Sequence, residues 1–286
     1  QSNSTGQFNV AFGLNSLRSN TIGEKNVALG ANAAEANSEG SHNVAIGYRA
    51  ATNNSYAWYN VAIGTDALRF QSFDNSNTNY ASYNVAVGSF ALEANNPTSG
   101  GNGNFNVGIG TSSFRSNIIG TDNSGLGSNS GYYALGGFNT YVGSYSGFGV
   151  IGTSTGTSNS ALGYRSLYSI TSGSYNTAIG NASLYFNTIG FNNVALGADA
   201  AHLNTSSSEN IAIGPNALRS QDFDNGGVTY SSFNVAIGGG ALFTNNPTDF
   251  TNGSYNTAIG DEVLSSNSIG QRNTAVGARS LQYSTT

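Results

Sequence analysis

The stretch Asn43-Val44-Ala45-Ile46-Gly47 returns 17 residues later as Asn60-Val61-Ala62-Ile63-Gly64. Outward from this pair, the string Asn-(Val/Thr)-Ala-(Ile/Leu/Val)-Gly starts at Asn9, Asn26, Asn43, Asn60, Asn84, Asn106, Asn123, Asn139, Asn159, Asn176, Asn193, Asn210, Asn234, Asn256 and Asn273, 15 copies in all. Most spacings are 17, with 24 and 22 after Asn60 and Asn84 and again after Asn210 and Asn234. Adding 150 to the first seven starting positions yields 159, 176, 193, 210, 234, 256 and 273, so the chain is a tandem duplication: block 1 is 1–150 and block 2 is 151–286.

A fixed period of this length marks a solenoid, in which no coil buries a core alone and stacking supplies one. The expected fold is all-β: one continuous parallel β-solenoid over 1–286, of about 15 coils with two short strands each. At the ordinary strand spacing this is a rod roughly 70 Å long. Composition agrees. Only 8% of the 286 residues are charged and 39 are Gly, with 41 Asn and 9 Lys plus Arg. Long helices need Ala, Leu, Glu, Lys and Arg, so an α-helical protein is excluded. With no Cys, a disulfide scaffold and a Cys-ligated metal site are excluded as well.

Within the repeat, numbered from its Asn, position 5 is Gly in every copy, including Gly47, Gly64, Gly197 and Gly214. An invariant Gly implies a positive φ or the close approach of a neighbouring strand. The Asn at position 1, as in Asn43, Asn60, Asn193 and Asn210, is placed to stack into an amide ladder. Large aliphatics at positions 4 and 9 are expected to fill the coil interior. Position 3 is Ala in twelve copies, with Gly108, Gly125 and Tyr141 as exceptions. Such a small-residue row reads as a flat face for a partner chain, most simply about a threefold axis. The alternative turns the Ala inward beside Ile.

The segments NVAIG, NVALG and NTAIG, followed by small residues, resemble the head repeats of trimeric autotransporter adhesins, the YadA-like β-roll, and repeats of tail-fibre-like bacterial and phage proteins. The resemblance implies a left-handed roll, a homotrimer, an extracellular, cell-surface or virion-tail location, and adhesion or fibre building. The adhesin repeat is shorter, which places the extra residues in the return loop. No heptad stalk and no membrane-length apolar run is present in this sequence.

Chemistry is sparse. His42 and His202 are the two His and do not correspond under the 150-residue shift. No carboxylate pair stands out, so no catalytic residue, cofactor or metal site is expected. Asp74 and Asp224 correspond, but each loop shares one carboxylate, too few oxygens for Ca2+. Arg69 with Arg219, Phe73 with Phe223, and Tyr80 with Tyr230 correspond in the longest loops, where Arg and aromatic residues make contact hot spots. These loops are candidate partner contacts, alongside Asp74 and Asp224. The alternative has the rings cover the solenoid's side.

The net charge of −5 argues against nucleic acid and anionic membranes as partners. The expected function is a non-enzymatic extracellular structural or adhesive fibre, self-associating through the small-residue face and by head-to-tail stacking of unpaired coil ends. A receptor-binding head or shaft module that takes a host-surface or matrix ligand is the alternative. Ice binding is a minor one, because Thr occupies position 2 in only four copies.

Overall fold

A computed structural model describes residues 3–71, 80–221 and 226–284. The chain forms two compact units, Gln1–Asn139 and Thr140–Thr286. Each is a parallel β-solenoid, and among the described residues there is no helix. The first unit carries seven main strands, from Val10–Phe12 to Ser124–Leu126, and the second carries eight, from Thr140–Val142 to Thr274–Val276. Within each unit every such strand pairs in parallel with the next in identical register. Val44 lies beside Val61 and Ile46 beside Ile63, and likewise Val194 beside Ile211 and Leu196 beside Ile213.

Each main strand is three residues long because the backbone is broken on both sides. The residue before Asn, position 7 and position 9 all sit near φ +50 to +60, as at Tyr175, Asp199 and Leu184. Left-handed residues interrupt extended structure. The second strand expected in every coil therefore forms, among the described residues, only as Ala57–Trp58, Tyr80–Ala81, Ser207–Ser208 and Tyr230–Ser231; elsewhere that run is turns.

The orientation of the strand corrects the sequence reading. Ala at position 3 points into the coil and is fully buried at Ala28, Ala45, Ala62, Ala178, Ala195 and Ala212. Positions 2 and 4 point outward: Leu162 is 52% exposed, Leu196 43% and Ile259 38%. The reason is volume. Leu68, Leu92, Leu167, Leu184, Leu218, Leu242 and Leu264 at position 9 fill the interior, together with position 8 and the buried amides, and leave room opposite only for a methyl group. The partner-facing reading of the small residues fails for the same reason, since that row lies inside.

The exceptions obey the same rule. Where position 9 is the bulky Phe114, the next coil carries Gly125, whose added Cβ would lie 2.6 Å from the Phe114 ring, and Gly131, which faces the same ring. Where position 3 is Tyr141, fully buried, position 9 of that coil is Gly147, against the tyrosine ring.

Two amide ladders run through the coils. In the first, Oδ1 of Asn43 accepts the backbone N–H of Asn60 (2.9 Å) and its Nδ2 (3.1 Å), while Asn43 Nδ2 donates to the Ala57 carbonyl (2.9 Å). Asn193 and Asn210 repeat this pattern. The second ladder, at position 12, includes Asn20, Asn37, Asn54, Asn187, Asn204 and Asn267, all buried. Asn204 shows its geometry: Nδ2 donates to the Ser207 carbonyl (3.0 Å) and Oδ1 accepts the Ser207 N–H (3.0 Å). Asn37, Asn54, Asn187 and Asn267 make the same Nδ2 donation, to the carbonyls of Gly40, Ala57, Gly190 and Gly270, while their buried Oδ1 atoms have no hydrogen-bond partner.

Burial also predicts an alkaline transition. The Tyr80 phenol is pushed up to about 12 by desolvation, against the lowering effect of a hydrogen bond with Gln71. Burial raises Tyr141 as well. Both folded values exceed the unfolded value of about 10. The contribution of each is intact below about pH 10 and is lost as pH climbs through its raised folded value, about 12 for Tyr80. Phenolate absorbance followed against circular dichroism should show a late fraction appearing together with unfolding. Ionisation of all 16 tyrosines before any change in dichroism would contradict this burial.

Candidate functional site

The duplicated loops are only partly described. Phe73, Asp74, Phe223 and Asp224 lie outside the described residues. Arg69 sits in a ladder of ion pairs: Arg49 meets Asp66 at 2.8 Å, Arg69 meets Asp66 at 3.5 Å and Glu93 at 4.0 Å, and Glu93 meets Arg115 at 2.6 Å. Asp66 is almost wholly buried, so this network is better shielded than an ordinary surface pair. Arg219 occupies the corresponding place with different neighbours, its guanidinium 5.7 Å from the Phe243 ring. Tyr80 and Tyr230 open the short second strands with their side chains buried at 9% and 8% exposure, which places both rings against the coil rather than at a contact surface.

The two His are packing groups. His42 stacks on Tyr59 at 4.9 Å. His202 stacks on Tyr185 at 5.1 Å, and its Nδ1 lies 2.9 Å from Asp199 Oδ1 and 3.1 Å from the Ala182 carbonyl, which makes Nδ1 the protonated nitrogen. Among the described residues no group of three or more His, Asp or Glu is placed to hold a metal ion, and no helix is long and apolar enough to cross a membrane.

Stacking turns the repeat into surface columns. The residues preceding the repeat Asn build His42–Tyr59–Tyr83–Phe105, with successive centroids 4.9, 5.0 and 5.3 Å apart. Position 10 of the second unit builds Phe148–Tyr168–Tyr185–His202 at 5.1, 4.9 and 5.1 Å. Identical register places like positions one strand spacing apart, so aromatic side chains at a shared position stack face to face.

The feature with most capacity for contact is the outward strand face. In the second unit Leu162, Ile179, Val194, Leu196, Ile211, Ile259 and Val276 are all between 37% and 65% exposed, and in the first unit Ile109 and Leu126 are alike. Aliphatic rows of this kind are what a water-facing sheet normally lacks. No protein-family model, curated protein or solved structure matches the chain.

Proposed function

We propose that the protein is a non-enzymatic building block of an extracellular fibre or adhesive assembly, and that copies of it associate side by side through the faces formed by positions 2 and 4. The observation that carries this reading is the exposed aliphatic row. Each such side chain keeps a third to two thirds of its surface in water, so covering it gains about 1 kcal/mol. The seven exposed aliphatics of the second unit contribute about 7 kcal/mol per chain, and two facing rows about twice that. Association costs about 4–15 kcal/mol in lost freedom, so one full face against another suffices and a few scattered contacts do not.

The flat, self-similar face suits a second copy of itself, and the resemblance to trimeric adhesin heads and tail-fibre repeats supports a threefold arrangement outside the cell. The test is solution mass. The wild-type chain is expected to sediment as a trimer, and Leu196→Asp with Ile213→Asp as a single chain with an unchanged dichroism spectrum, because both side chains are outward in the isolated coil. A wild-type chain that remains single at high concentration would sink the proposal.

A further inference from the structure

The second unit carries a groove of about 490 Å³ lined by Ser172, Ser174, Tyr175, Ile189, Phe191, Asn192 and Thr229. Six of these residues lie at positions 14, 16 and 17 of the neighbouring coils that start at Asn159 and Asn176, away from the outward rows at positions 2 and 4, and Thr229 comes from the longer return segment of the coil that starts at Asn210. Tyr175 is 63% exposed. In contrast to the columns described above, the Tyr175 and Phe191 rings stack on no other described ring, so their faces are open to a ligand. Ser174 is already engaged: its Oγ accepts the Thr157 N–H (3.0 Å) and donates to the Ser172 carbonyl (3.3 Å). Ser172, Asn192 and Thr229 are exposed polar groups on the rim.

We propose that this groove binds a short, uncharged oligosaccharide, with sugar rings laid on Tyr175 and Phe191 and hydroxyl groups meeting Ser172, Asn192 and Thr229. The lining decides the chemistry. A charged ligand would meet no counter-charge, because no charged side chain lines the groove. A wholly apolar ligand would strip water from the rim hydroxyls and the amide without replacing it. A saccharide offers an apolar ring face and a hydroxylated edge together, and the volume is that of a small-molecule site.

The duplication supplies a control within the same chain. Under the 150-residue shift, Ser172, Ser174, Tyr175, Ile189 and Phe191 become Ile22, Glu24, Lys25, Glu39 and Ser41. The first unit therefore places Lys25 and Ser41 where the second places rings, and Glu24 and Glu39 where it places Ser174 and Ile189, on a coil of the same design. Tyr175→Lys with Phe191→Ser transplants side chains that this coil already accommodates.

Calorimetric titration of the full chain with cello- and chito-oligosaccharides, with oligogalacturonate as the anionic contrast, tests the site. Binding of a neutral sugar is expected, weakened about tenfold or more in the Tyr175→Lys/Phe191→Ser protein. Asn192→His is a second variant on the polar rim, and dichroism verifies the fold of each. Failure of every neutral sugar to bind, equal binding by the double variant, or a preference for oligogalacturonate would overturn the proposal. The titration repeated on Leu196→Asp/Ile213→Asp separates it from self-association: a retained sugar affinity with lost assembly assigns the groove to the coil itself.

Discussion

Gly197→Ala is expected to cost about 2–6 kcal/mol, the sum of strain at a forbidden backbone angle and overpacking. Gly197 has φ +137, and a Cβ there would lie 2.5 Å from the carbonyl oxygen of Gly214 and 3.0 Å from the backbone nitrogen of Pro215. Both obstacles are backbone in the next coil, so no side-chain rotation relieves them. The neighbouring coils would have to separate, and each coil's stability depends on its neighbours. Urea denaturation measures the loss, and hydrogen exchange should place it in the coils on either side of Gly197. Gly152→Ala is the comparison. Its φ is +73 with nothing within 4 Å of the added methyl, so it carries only the left-handed backbone cost of about 1–2 kcal/mol. Equal losses in the two variants would refute the role assigned to coil contact.

The second large effect is pH-dependent. Asn193 is 1% exposed and spends its full hydrogen-bonding capacity: Nδ2 donates to Asn176 Oδ1 (3.2 Å) and to the Ser207 carbonyl (2.9 Å), while Oδ1 accepts the Asn210 N–H (3.0 Å) and Asn210 Nδ2 (3.1 Å). Asn193→Asp puts an oxygen where Nδ2 donates, facing two acceptors. A protonated carboxyl can still donate to one of them, at a loss of about 1–3 kcal/mol. An ionised one has no partner there and is buried, which costs about 3–5 kcal/mol. The folded state therefore raises this carboxyl above its unfolded value of about 3.9. The variant should be least impaired below that value and weaken as pH rises through the higher folded one. Denaturation of wild type and variant at acidic and neutral pH checks the sign; a deficit that shrinks toward neutral pH would contradict it.

The fold class was legible because a period of this kind admits few architectures. The facing of the strand was not. Period-2 alternation says that positions 2 and 4 share a side without saying which, and Ile and Leu at position 4 read as core. What decides the matter is the space left by Leu at position 9, which only stacking reveals. The second amide ladder was hidden by abundance, since 41 asparagines blur any row and Gln71 and Gln221 stand in it. A search at a fixed offset of 11 from each repeat Asn would have found it. Agreement between the two blocks at Arg69 and Arg219, and at Tyr80 and Tyr230, is what marks these residues as candidate contacts in the sequence. Of these shared residues Tyr80 and Tyr230 are buried against the coil, while Arg69 and Arg219 keep different neighbours. The groove at Tyr175 and Phe191 arises where the blocks differ, between residues 16 apart that stacking brings together.

Near-identical coils carry a hazard during folding, because a strand that docks one repeat too early satisfies almost every backbone bond of the correct arrangement. Phe114 removes that degeneracy in the first unit. Its ring needs the room left by Gly125 and Gly131, whereas most other coils present Ala at position 3 and a Leu or Ala side chain at position 9. Docked beneath such a coil, the ring would overlap its side chains, and a slipped chain would be rejected by overpacking alone. One oversized side chain and two missing ones thus act as an address, giving a chain of interchangeable parts a single order of assembly.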